Sequence, residues 1–293
     1  MDDAIDHEVI GERRHLIALA FRMLGTIAEA EDAVQETYAR WYRLAPSERD
    51  AIEVPRAWLT RVASRVCLDV LCSARARREE YVGEWLPEPV PLAAFSESST
   101  DPLDRVSLDD TVSSALLMML ESMTPAERVA FVLHDVFAVP FDEIAEAVGR
   151  TPAACRQLAS SARRRIQQAP IRTVSRAEHD RVVQAFAAAA QTGRLDPLVQ
   201  VLDEHAILRS DGGGFVSAAR NPVFGSDKVA RFVLGVMQKR SETEIAPLET
   251  PDGLGFAMWD EGRIIGVVTF EVFGGLITDV KMMLNPNKLT LWN

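Results

Sequence analysis

The sequence predicts a multidomain chain: two all-α domains, the second a helix-turn-helix, followed by an α+β cone-shaped barrel. Three observations carry that expectation. Apolar residues recur at helical spacing through 7–81. At 141–168 a short helical stretch, a glycine and a longer basic helix follow one another. Beyond about residue 242 the pattern becomes runs of strand length separated by Asp252-Gly253 and Gly274-Gly275, two hairpin signals.

The chain has 293 residues, enough for two or three domains, with 47% hydrophobic and 26% charged residues, as in ordinary globular proteins. No apolar run reaches the roughly 18 residues of a membrane span, and the acidic N-terminus is no signal peptide. A cytoplasmic location and no membrane partner are therefore expected. Cys67, Cys72 and Cys155 show no metal-ligand spacing and are expected as reduced thiols packed among apolar groups. Neither a metal nor a cofactor is expected. The net charge of −11 is unevenly spread: 85–123 holds one arginine against seven acids, whereas 124–172 holds seven arginines against five. Only the second of these stretches suits a polyanion, so duplex DNA should be held weakly without a larger partner.

Along the chain, Val9, Ile10, Leu16, Ile17, Leu19, Ala20, Phe21 and Leu24 define a helix from His7 that ends at Gly25. Thr26 and Glu29 form a capping box opening a second helix to about Leu44. Its buried side carries Ile27, Ala30, Val34, Tyr38 and Trp41 or Tyr42, and its polar stripe carries Glu31, Asp32, Gln35, Glu36 and Arg40. That stripe is either a solvated face or a docking face for a basic partner helix. A polar loop, 45–55, precedes a long helix from Pro55 to about Tyr81, on which Arg56, Arg61 and Arg65 alternate with Trp58, Leu59 and Val62. Cations and an aromatic beside a loop suit single-stranded DNA, although Trp58 equally suits a core anchor. Next comes an acidic, Pro-rich stretch with Trp85-Leu86-Pro87-Glu88-Pro89, expected to be extended. Trp85 is expected either to pack on the first domain or to anchor in another.

In the helix-turn-helix, Gly149 ends the first helix, Thr151 caps the second and Pro152 takes its first position. Cys155, Ala159, Ala162 and Ile166 make a narrow buried stripe, leaving Ala153, Arg156, Gln157, Ser160, Ser161, Arg163 and Arg164 outward. Two surface helices of an α-bundle would be the plainer reading. After Pro170 come all the lysines (Lys228, Lys239, Lys281, Lys288), an Ala-rich helix from Arg176 to Thr192 and a short strand at 206–209. Asp211-Gly212-Gly213-Gly214 is a flexible turn, Ser226 to Met237 a helix, and 242–248, 253–259, 263–273 and 276–284 an antiparallel meander.

Three stretches together, AEAEDAVQETYARWY at 28–42, PRAWLTRVASRVCLDVL at 55–71 and MTPAERVAFVLHDVFAVPFDEIAEAVGRTPAACRQLASSARRRI at 123–166, resemble the extracytoplasmic-function sigma factors. The resemblance implies sigma domain 2 at 1–84, a linker at 85–112 and sigma domain 4 at 113–170. It implies that Asp32, Gln35, Glu36 and Arg40 meet core RNA polymerase, and that Arg56, Arg61 and Arg65 hold the melted minus-ten strand of promoter DNA. Arg156, Gln157, Ser160, Ser161 and Arg164 would read the minus-thirty-five element. Arg65 departs from the asparagine of many relatives, and Leu158, Ser160 and Ser161 from more basic residues. Residues 173–293 resemble the SnoaL-like group of the nuclear-transport-factor superfamily, and sigma factors with that extension share segments matching Trp85–Pro89, Asp211–Gly214 and Asn285-Pro286-Asn287-Lys288-Leu289. These three segments are expected as interdomain contacts, with Asn287 replacing the usual aspartate. The extension is expected to take the place of a separate anti-sigma factor.

The expected function is promoter-specific initiation with core polymerase, under control of the extension, and not catalysis. The alternative is a cyclase or isomerase fused to a DNA-binding module. For that alternative His205, Asp211, Trp259 and Asp279 are candidate groups in an apolar cup, which also offers room for an unidentified small ligand.

Overall fold

A computed structural model describes residues 9–78, 81–91, 113–168 and 174–293. It divides into two compact units, the first made of 1–79, 95–112 and 116–170, the second of 80–94, 113–115 and 171–293, as far as these are described. Most of the linker expected at 85–112 therefore lies outside the described residues. No helix among the described residues is long and apolar enough to cross a membrane.

The first unit is helical. Helix α1, Arg13–Leu24, stops at left-handed Gly25, and α2, Ile27–Arg43, starts at Thr26, whose side chain accepts from the Glu29 amide. The 45–55 stretch is not all loop, because Pro46–Asp50 form a short helix, α3. Helix α4, Pro55–Arg78, packs Leu59, Ala63, Val66 and Cys67 against α1 and α2. Trp58 is half-buried with its ring edge-on to buried Trp41 at 5.3 Å, the core-anchor arrangement. Cys72 corrects the expectation of packed thiols, since it is exposed while Cys67 and Cys155 are buried.

Further along are α5, Ser114–Glu121, and α6, Pro125–Phe131, capped by a Thr124–Glu127 capping box. The chain then widens into a π turn, Val132–Val136. The turn of the helix-turn-helix follows from local chemistry. Helix α7, Phe141–Val148, ends at Gly149 with φ +70°, and Thr151 Oγ1 accepts from the Ala154 amide to start α8, Pro152–Gln168. Cys155, Ala159 and Ala162 are fully buried, so small side chains let α8 lie close to α6 and α7.

The second unit folds around a six-stranded mixed sheet of order β2-β1-β6-β5-β4-β3. Its strands are β1 Leu202–Asp211, β2 Val223–Phe224, β3 Glu244–Thr250, β4 Gly253–Asp260, β5 Arg263–Phe273 and β6 Leu276–Met283. Consecutive strands from β3 to β6 are antiparallel, while β1 runs parallel to β6. Helices α9 Arg176–Gln191, α10 Leu195–Gln200 and α11 Ser226–Lys239 cover one face, meeting Leu208, Phe270, Val280 and Met282 in a common core. Strand β1 is longer than expected. It includes His205, and it makes Asp211 the last strand residue rather than part of a flexible turn.

Candidate functional site

Two places gather the residues that the sequence singles out. The first is the exterior of the helical unit. On α2, Asp32 and Gln35 are exposed, and Glu36 accepts from Arg40 Nε at 2.9 Å with Arg43 at 3.8 Å. The Arg40 hydrogen bond draws the Glu36 carboxyl below its ordinary range. On α4, Arg56 lies 3.4 Å from Glu12 and 3.2 Å from His15 Nδ1, Arg65 is exposed, and Arg61 pairs with Glu146 of α7. Arg40, Arg61, Arg65 and Glu146 together line one small cleft.

On α8, Gln157, Ser160 and Arg164 are exposed, and Arg156 lies over the Phe141 ring at 5.5 Å. Arg163 pairs with Asp135 at 2.6 Å. Ser161 does not point outward with them: its hydroxyl donates to Glu127 Oε1 at 2.7 Å, closing the α6 capping box against α8. Burial pushes the Glu127 carboxyl up, but hydrogen bonds from Ser161 and Thr124, with the charge of Arg165, carry it below its ordinary range.

The second place lies in the sheet unit and consists of three short segments distant in sequence. Residues 81–91 carry no helix or strand, yet Leu86, Pro87, Glu88 and Val90 are buried. They close over Asp211, whose carboxylate is fully buried and accepts from four donors. These are Tyr81 Oη at 2.6 Å, the Leu86 amide at 3.0 Å, the Gly213 amide at 2.9 Å and Lys288 Nζ at 2.7 Å. Lys288 Nζ also donates to the Leu86 carbonyl at 2.6 Å and sits 3.9 Å from the centre of the Trp85 ring. The ammonium is thus matched by a carboxylate, a carbonyl and an aromatic face, which together replace its hydration.

Asn285 Nδ2 donates to Tyr81 Oη at 3.0 Å and its carbonyl accepts from the Asn287 amide. A side chain on Gly213 would begin 2.4 Å from Asn285 Nδ2, and its φ is +61°, so both space and conformation require glycine there. Trp292 Nε1 donates to the Pro89 carbonyl at 2.8 Å, and Arg209 pairs with Asp279 and lies 3.7 Å from Glu84.

The three motif segments expected as contacts are thus brought together. Asn287 itself is exposed while Lys288 carries the ion pair. Sequence reasoning missed Tyr81, Arg209 and Trp292. A tryptophan one residue from the last position was the signal available for Trp292.

The groups proposed for an enzyme are not assembled. His205 is exposed at the strand surface, with its side chain at 86%. Asp211 and Asp279 serve the arrangement just described, on the sheet face opposite Val280 and Met282.

Sigma-70 region 2 matches residues 10–78 and Sigma-70, region 4 matches residues 113–166. The ECF RNA polymerase sigma factor SigJ of Mycobacterium tuberculosis is 46% identical over 229 residues, covering 78% of this chain and 71% of its own. The probable ECF RNA polymerase sigma factor SigI of the same species is 38% identical over 286 residues, covering 94% and 92%. The crystal structure of the M. tuberculosis SigJ protein superposes with a TM-score of 0.73 at 37% identity, covering 97% of this chain and 98% of that one.

Proposed function

This chain belongs to the extracytoplasmic-function sigma factors of RNA polymerase and carries a mixed-sheet C-terminal extension; from that premise we propose how its parts divide the work of promoter recognition. The exposed α2 stripe of Asp32, Gln35, Glu36 and Arg40 docks core polymerase. Arg56, Arg61 and Arg65 hold phosphates of the melted minus-ten strand, and captured, unstacked bases supply the opening energy. Exposed Arg156, Gln157, Ser160 and Arg164 read the minus-thirty-five element, because a helix-turn-helix presents its second helix to the major groove. Ser161 acts through Glu127, steadying α8 rather than touching a base. The work is done in the cytoplasm, where the polymerase is.

The extension governs that work by holding 81–91, the stretch that leaves α4 and leads toward the second promoter-reading domain. Capture of Trp85 and Leu86 by Asp211 and Lys288 is the observation that carries this reading. A linker fixed at one end restricts the separations that its two flanking domains can adopt, and both must engage promoter elements at once. The extension so takes the role of an attached anti-sigma element, and a separate one is not required.

Run-off transcription with purified core polymerase tests the proposal. Lys288→Met and a chain ending at residue 172 should both change transcript yield from a cognate promoter. Unaltered yield and unaltered polymerase affinity in both would overturn the regulatory role while leaving promoter recognition intact. A chain that neither binds core polymerase nor opens promoter DNA would overturn the assigned residue roles.

A further inference from the structure

On the helix-covered face of the sheet, the second unit leaves a cavity of about 520 Å³. Strand alternation builds its floor: Phe256 and Met258 of β4, Phe270 of β5, and Val280 and Met282 of β6 all point to that side. Ala187 of α9 and Val236 of α11 also line it, and Ile245 of edge strand β3, 45% exposed, lies at the rim. Neighbouring parts of the same core are filled by Leu208, Val183 and Val229, all fully buried. A void of this size is therefore not the general state of the unit's packing, because interiors otherwise close to crystal-like density. Water gains few hydrogen bonds among such walls, and bare apolar lining forfeits dispersion contacts on one side. Small-molecule sites span roughly 300–1,000 Å³ and are mostly apolar with a few polar groups. This cavity fits that description.

The polar lining is segregated. Gln184 and Gln191 are exposed and Arg240 and Thr243 half-buried, whereas the buried lining (Met258, Phe270, Met282) is wholly apolar. Arg240 is the single charged residue of the lining among the described residues. We propose that this cavity binds an apolar small molecule ending in one anionic group, its hydrocarbon or aromatic body on Phe256, Met258 and Met282 and its anion paired with Arg240. Two methionines on the floor suit an aliphatic body of variable shape, since thioether side chains readjust. No carboxylate or imidazole belongs to the lining among the described residues, so the site binds without a general base. An occupant would touch β6 through Val280 and Met282, while Asp279 and Lys281 of the same strand face the other side, toward Arg209 and Ser114. The binding site stands apart from the regulatory reading, because it is measured without polymerase.

Dodecanoate titrated into the full-length protein by calorimetry is the test. Saturable binding of one molecule per chain is expected, and Val236→Trp, which fills the cavity from a half-exposed wall, should weaken it at least tenfold. Ala187→Trp fills the same space from a different helix and should do the same, so a folding failure in one variant leaves the other to decide. Arg240→Gln should weaken dodecanoate severalfold and leave binding of neutral 1-decanol unchanged. Absence of saturable binding, or dodecanoate affinity unmoved by both tryptophan variants, would overturn the site. Equal effects of Arg240→Gln on dodecanoate and decanol would overturn its anionic end.

Discussion

Arg61 and Glu146 pair in the helical unit with 41% and 60% of their side chains exposed, whereas Lys288 and Asp211 pair in the sheet unit with 6% and 0%. Both are cation–carboxylate contacts, yet water makes them different objects. An exposed pair gains roughly 0–1 kcal/mol and exchanges partners readily, so Arg61 can leave Glu146 for a phosphate. A buried pair has shed its hydration and cannot lose one member without stranding the other. Exposure thus separates exchangeable charges from fixed ones, and five substitutions probe that division.

Lys288→Met should have the largest effect. It leaves Asp211 buried with three neutral donors and no counter-charge, at a cost of about 3–5 kcal/mol in urea unfolding of the full chain. A loss below about 1 kcal/mol would put this pair in the same class as Arg61–Glu146. Gly213→Ala comes next, at about 1–3 kcal/mol, because positive φ and the 2.4 Å approach to Asn285 act together. Gly149→Ala in the helical unit shares the positive φ but meets nothing within 4 Å, and should cost only about 1 kcal/mol. Thermal melts of the two variants side by side would show whether the sheet unit is the tighter of the two.

Glu127 offers an intermediate case, buried but held by two hydroxyl donors as well as by the half-exposed charge of Arg165. Its carboxyl titrates below the ordinary range in the folded chain, so its stabilisation is present above the unfolded-state value of about 4.3 and is lost as pH falls through the lowered folded value. The stability gap between the natural chain and Glu127→Gln should accordingly narrow as pH falls below about 5; a gap that widens there would reverse the sign. Glu146→Gln should be smallest in stability, under about 1 kcal/mol, while raising promoter-DNA affinity of the polymerase complex by releasing Arg61. Unchanged affinity in a filter-binding assay would show that the exposed pair does not compete with DNA.

The helix-turn-helix was readable from the chain because its signals are local: Gly149, Thr151 and Pro152 each act within a turn of themselves, and the small-residue stripe from Cys155 follows the helical period. Ser161 was misjudged as outward because its partner, Glu127, is 34 residues away. The meander was readable for the same reason, its hairpin glycines lying beside the strands that they join. Strand β1 was read short because Asp203, Glu204 and His205 are polar, and only its parallel partner β6, some seventy residues on, extends it. The three motif segments could be named from family likeness, but no local pattern tells that Lys288 rather than Asn287 turns inward. That choice is made by the 3₁₀ turn Pro286–Lys288, whose rotation the sequence does not announce.

The hydrogen bond from Trp292 to Pro89 spans 203 residues, and that separation has a meaning in time. At ~5–20 residues per second, the ribosome finishes 81–91 about 10–40 s before it makes the tryptophan that will grip it. Once residue 168 has been added, a nascent chain contains both helical segments but not yet the residues that hold 81–91. A chain terminated ahead of Lys288 would therefore lack both Lys288 and Trp292, the two side chains that bond to the carbonyls of Leu86 and Pro89.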